Sequence, residues 1–192
     1  MGLGTGARDS IPGVSQMATP AGVVPASEVH TDVRFFRKEQ VVSASLTVGS
    51  MTSKYTAHTK KHPSVAMAFL SKKGLLVGDM LDFGSGRGFD AEYYHMDMYD
   101  PNWLSLELPK KHYDTITCNW VLNVVTPAEQ DIILKQIKNL LKPNGKAYIT
   151  VRRDIEKDYM TKNNHPQRLV YLDLETVRAT SRYQIYVIEN TP

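Results

Sequence analysis

The residues best placed to do chemistry in this 192-residue chain stand together at Asp82 and Gly84-Ser85-Gly86-Arg87-Gly88. They follow Met80-Leu81-Asp82-Phe83, an apolar run that reads as a strand. A strand that ends in a glycine turn ahead of a helix suits a phosphate or nucleoside. Glycine tolerates positive φ and lets the backbone approach a ligand, and the following helix presents free N–H groups. The spacing here is G-x-G-x-G, whereas the dinucleotide fingerprint is G-x-G-x-x-G, which disfavours a nicotinamide enzyme. No Gly-Lys-Ser/Thr follows, so a P-loop is excluded.

Further polar residues recur downstream. Met96-Asp97-Met98-Tyr99-Asp100 reads as a short strand with Asp100 at its tip. A carboxylate there can accept both hydroxyls of a ribose; Asp97 competes for the role but stands mid-strand and not at the strand end. The run Tyr113-Asp114-Thr115-Ile116-Thr117-Cys118-Asn119-Trp120-Val121-Leu122-Asn123 places Asn119, Trp120 and Asn123 at or just past the end of another strand. Trp120 is open to a packing role and Asn123 to a helix-capping one. Arg152-Arg153-Asp154 follow a third strand, where the arginines either grip an anionic substrate or pair with the aspartate. Lys54, His58, Lys60, Lys61 and His62 form a basic cluster that reads as a solvated segment, a lid or a nucleic-acid contact. The histidines lack a metal-ligand pattern, and no metal is expected. The single cysteine, Cys118, excludes an internal disulfide and suits a reducing, cytoplasmic setting.

Together these motifs resemble the class I S-adenosylmethionine-dependent methyltransferases, whose first motif reads D-x-G-x-G-x-G. The likeness covers about residues 75–190, in family order. It implies that Gly84 and Gly86 lie against the methionyl and ribose parts of S-adenosylmethionine, with Ser85 and Arg87 in the same loop. It implies that Asp82 helps hold the amino group, often through water, that Asp100 holds the ribose and that Pro101 sits beside the adenine. Asn119 and Trp120 would face the cofactor, and Asn123 would look toward the substrate as the candidate catalytic residue. The segments F-G-S-G-R-G-F-D, Y-D-P and N-W-V-L-N-V-V are also similar to methyltransferases associated with DNA phosphorothioation.

These residues need elements to hold them. His62-Pro63-Ser64 opens a helix over residues 65–73 that Gly74 closes. A brief helix follows Gly88. Thr126-Pro127-Ala128-Glu129 is a capping box, with Ile133, Ile137, Leu140 and Leu141 on the apolar face of the helix behind it. Lys142-Pro143-Asn144-Gly145 stops that helix ahead of a buried strand over 147–151. Strands are expected at 168–172 and 183–188, with a short helix at 173–180. Between Asp100 and Asp114 the chain is too short for a crossover, a third strand and a return, since one crossover takes about 10–12 residues. The expectation is an α/β, Rossmann-like, mostly parallel sheet with helices on both faces, reduced to about six strands with an antiparallel closing strand. One side of the adenine pocket would be open, or covered by residues 54–61 or by another subunit.

Residues 1–50 carry no net charge and are rich in Gly, Pro, Ser and Ala. They read as a low-complexity extension, either disordered or left by a cloning junction at Gly49-Ser50-Met51. By the resemblance residues 51–192 are expected to be a reduced methyltransferase domain, and they hold all of the net +3 charge, too little to declare a nucleic-acid or membrane-surface protein. No apolar run reaches the ~18 residues of a membrane span. The function expected is methyl transfer from a sulfonium, by direct displacement, to a small molecule, modified base or protein. The alternative is a non-catalytic S-adenosylmethionine-binding or partner module. Nucleic-acid contact and a homo-oligomer stay open.

Overall fold

The computed structural model describes residues 56–57, 59–104 and 107–191. The chain divides into two units, Met1–Val42 and Ser43–Pro192, and every described residue belongs to the second. The expected extension over residues 1–50, with Lys54 and His58 of the basic cluster, lies outside the described residues.

Helix α1, Val65–Lys72, starts at Ser64, whose hydroxyl accepts from the Met67 N–H. It ends in a Schellman pairing, Gly74 N to Ser71 O and Leu75 N to Leu70 O. Ala66, Met67 and Leu70 are buried beneath it. Strand β1, Met80–Phe83, leads through the glycine loop to a six-residue helix α2, Phe89–Tyr94, and then to β2, Asp97–Tyr99. Strand β3, Tyr113–Asn119, passes through a single 3-10 turn, Leu122–Val124, into α3, Pro127–Leu140. The capping box is formed in both directions: Thr126 Oγ1 accepts from the Glu129 N–H, and the Glu129 carboxylate accepts from the Thr126 N–H. Strand β4, Leu141–Arg152, is followed by a small antiparallel pair, β5 (Tyr159–Met160) and β6 (Pro166–Gln167), and then by β7, Glu175–Ala179, and β8, Tyr183–Glu189.

The main sheet has six strands in the order β2-β1-β3-β4-β8-β7. Strands β2, β1, β3 and β4 are parallel, and β8 and β7 close the sheet antiparallel. Among the described residues between β2 and β3 there is no strand, so the sheet ends at β2. The expected reduced Rossmann-like sheet is the architecture observed. One core cluster joins Leu81, Phe83, Tyr99, Ile116 and Ile149 to Ile133 and Ile137 of α3. A second joins Ile185 and Val187 to Met67 and Leu70 of α1. Helices thus cover both faces.

Two local expectations are corrected. Residues 168–172 form no strand, and residues 173–180 hold the edge strand β7 in place of a helix. Thr176 and Val177 are β-branched and favour extended backbone, and pairing with β8 decides the matter. Arg168 to Leu172 are held irregular by side chains: Leu169 N donates to Asp158, and Val170 O accepts from Arg153. The Lys142-Pro143-Asn144-Gly145 turn sits inside β4, looping out between the Tyr113–Leu141 and Thr115–Lys146 pairings.

Candidate active site

The glycine loop is tied to the tip of β2. Gly84 N and Ser85 N both donate to Tyr99 O, at 2.7 and 3.1 Å. Gly84 has φ +76°, and a Cβ there would lie 2.3 Å from Val121 Cγ2. Gly86 has φ +59°, and a Cβ there would lie 2.8 Å from that of Ala57. Both positions therefore exclude a side chain through conformation and through space. Asp100, 7% exposed, completes the unit. Its Oδ2 accepts from Gly86 N at 2.8 Å, and its Oδ1 accepts from Asn102 N and Trp103 N at 2.9 and 3.2 Å. Burial raises the Asp100 pKa, and the backbone N–H groups pull against that rise.

The loop opens on a cleft of about 430 Å³ at the carboxyl ends of the parallel strands. That volume lies within the roughly 300–1,000 Å³ usual for small-molecule and cofactor sites, and the position is where open α/β sheets bind ligands. Gly84, Ser85, Gly86, Arg87, Asp100, Pro101, Asn119 and Trp120 all line it. Its walls also hold buried polar atoms with no hydrogen-bond partner: Ser85 Oγ, Asn119 Nδ2 and Gln136 Oε1. Asn119 is oriented by Thr150, whose hydroxyl donates to its Oδ1 at 2.8 Å, leaving the amide N–H groups unmet. Trp120 adopts φ +67°, an unusual conformation for a bulky residue. It is held by its N–H to Thr150 O at 2.9 Å and by edge-on packing against Tyr183. The Arg87 guanidinium lies 4.8 Å from the Trp103 ring centroid. Thr56, Ala57 and Lys60 also line the cleft, and the Lys60 ammonium pairs with the buried Asp90.

Two expected site residues stand elsewhere. Asp82 is 4% exposed and does not line the cleft; its Oδ1 accepts from the Thr117 hydroxyl at 2.9 Å. Desolvation pushes its pKa up to about 6, so it supports the strand pair from behind the loop. Asn123 is fully buried and also absent from the cleft wall. Its Nδ2 donates to Arg168 O at 2.7 Å, and its Oδ1 accepts from Arg152 N at 3.0 Å. Both ends of the amide are thus occupied in bracing the backbone.

The two arginines after β4 divide. Arg152 lines the cleft but is bound bidentately to Asp154 at 2.8 and 2.9 Å and donates to Gln167. Arg153 is consumed by Gln184, Tyr186 and the backbone carbonyl oxygens of Arg152 and Val170. Cys118 is buried in β3, and burial pushes its thiol pKa up, away from nucleophilic use. The residues missed in the sequence are Gln136 on α3 and Thr161, Asn163 and Gln167 around the β5–β6 pair. Strands of two residues leave no periodicity to read, and Gln136 has the polarity of any surface helix residue. Among the described residues, no cluster of three or more His, Cys, Asp or Glu side chains could hold a metal, and no helix is long and apolar enough to cross a membrane.

The structure of Burkholderia thailandensis 1,6-didemethyltoxoflavin-N1-methyltransferase, with bound 1,6-didemethyltoxoflavin and S-adenosylhomocysteine, is similar at TM-score 0.49 and 20% identity, covering 66% of this chain and 77% of that one. The N-methyltransferase NodS from Bradyrhizobium japonicum WM9, in complex with S-adenosylhomocysteine, is similar at TM-score 0.40 and 9% identity, covering 65% and 84%. No curated protein matches the chain. The model of a methyltransferase domain matches residues 55–177, a span that holds the glycine loop, Asp100, Asn119 and the β5–β6 pair. The chain belongs to the methyltransferase-domain family.

Proposed function

We propose that residues 51–192 are the working unit of an S-adenosylmethionine-dependent methyltransferase, with the cofactor held in the cleft between the glycine loop and Asn119. The observation that carries this reading is the set of unmet buried atoms on Ser85, Asn119 and Gln136 in the walls of one cleft. Burying such groups unpaired is costly, so a ligand that meets them gains both shape and hydrogen bonds. The donors fit an adenosyl amino acid. Asp100 braces Gly86 through Oδ2 and, with Oδ1 already accepting from Asn102 and Trp103, keeps one Oδ2 lone pair for a ribose hydroxyl. The glycine backbone leaves room that a Cβ would fill. Asn119 offers amide N–H groups to an acceptor atom, and Pro101, Val121, Val124 and Ile133 give an apolar wall for a flat base.

When bound, the cofactor supplies an electrophilic methyl group. The work of the chain is then to align an acceptor with that group and to keep water out, since direct displacement needs little further chemistry from the protein. The finer likeness, to methyltransferases associated with DNA phosphorothioation, rests on sequence segments alone and leaves the acceptor to be read from the site.

Calorimetric titration of the full chain tests the reading. S-adenosylmethionine and S-adenosylhomocysteine should each bind saturably at one site, and NAD should not. A folded chain that binds neither, or that prefers NAD, overturns it.

A further inference from the structure

A second concavity, of about 750 Å³, lies between α1 and the β7–β8 turn. Its floor is one face of α1, where Val65, Ala68, Phe69 and Lys72 recur at i, i+3, i+4 and i+7. The opposite face of the same helix is buried in the core, while Val65 stays 60% exposed. The rim is cationic: Lys72, Arg178 and Arg182. Asp154, the acid among its lining residues, is already taken bidentately by Arg152.

Arg178 is the informative residue. Its guanidinium sits 4.3 Å from the Phe69 ring centroid and 5.7 Å from that of Tyr183. Its Nε is buried without a hydrogen-bond partner, and no ion pair engages it among the described residues. A guanidinium fixed by aromatic rings, with donors unspent, is a ready receptor for a carboxylate or phosphate. Trp120 and Arg152 line both this groove and the cleft described above, so the two concavities adjoin at these residues.

We propose that this groove seats the methyl acceptor, a small molecule with an anionic group on an apolar, planar body, its anion held by Arg178 with support from Arg182 and Lys72. This rests on the methyltransferase reading. In the transfer, a lone pair on an acceptor heteroatom forms the new bond to the methyl carbon as the methyl–sulfur bond breaks. The bonding pair stays on sulfur, which becomes the neutral thioether, and the acceptor's proton leaves to solvent.

The test uses the full chain saturated with S-adenosylhomocysteine and three probes: phenyl phosphate, benzoate and neutral benzamide. Calorimetry should show saturable binding of at least one of the two anions and none of benzamide. Arg178→Gln should weaken the anion about tenfold or more, and the exposed-site pair Lys72→Gln with Arg182→Gln should weaken it less. S-adenosylhomocysteine affinity should stay within about twofold in all variants, because none of the three residues lines the cofactor cleft. Equal binding of benzamide and benzoate, or anion binding indifferent to both Arg178→Gln and the paired variant, overturns the proposal. So does a single-stranded oligonucleotide that binds far more tightly than phenyl phosphate with the same dependence on Arg178. Loss of S-adenosylhomocysteine binding in the parent chain strikes the methyltransferase reading instead, and the anion titration of the unliganded chain still reports on the groove.

Discussion

Two polar clusters stand at the carboxyl edge of the sheet, and they end in opposite states. Around the glycine loop, Ser85 Oγ and Asn119 Nδ2 are buried and unmet. Around the end of β4, Asn123, Arg152, Arg153 and Asp154 bond one another and the backbone. Both clusters hold residue types that could do chemistry. What separates them is whether their hydrogen-bonding capacity is already spent, because a spent group holds structure and an unspent one waits for a ligand.

The largest expected effect breaks the satisfied side. Asn123→Ala leaves Arg168 O and Arg152 N without their buried partner. It should cost roughly 2–4 kcal/mol of stability, read by urea denaturation. Next comes Asp82, buried behind the loop, whose pKa is raised from 3.8 to about 6. A raised carboxylate pKa means that the folded state holds the proton more tightly. Its contribution is complete below about pH 4 and is lost as pH rises through about 6. Asp82→Asn should therefore match the parent near pH 3.5 and exceed it at pH 7 by about 2–3 kcal/mol, checked by denaturation at the two pH values. A smaller effect falls on binding. Asp100→Ala removes the brace on Gly86 and a ribose acceptor together, and it should weaken S-adenosylhomocysteine by roughly thirtyfold, about 2 kcal/mol, in calorimetry.

Much of this contrast was legible from residue types, and part of it was not. The glycine loop, the tip of β2 and the capping box at Thr126 are local devices whose chemistry lies within a few residues of chain. The shortened stretch between Asp100 and Asp114 foretold the narrow sheet in the same way. The hydrogen bonds of Asp82 and Asn123 were not legible because their partners, Thr117 and the backbone of Arg152 and Arg168, are 29 to 45 residues away. Glu175–Ala179 became a strand through pairing with β8, another tertiary fact. Trp120 could be placed near a cofactor from its motif, but its left-handed backbone and its position between two concavities come only from the packing of Thr150 and Tyr183 around it.

The central claim is that unmet buried groups mark the ligand site and satisfied ones do not. A paired titration of S-adenosylhomocysteine into Asn119→Ala and Asn123→Ala tests it most directly, at a temperature where both chains are folded. Asn119→Ala should lose about tenfold in affinity, near 1.4 kcal/mol, and Asn123→Ala should stay within about twofold of the parent. Equal losses in the two variants, or a loss confined to Asn123→Ala, would contradict the account.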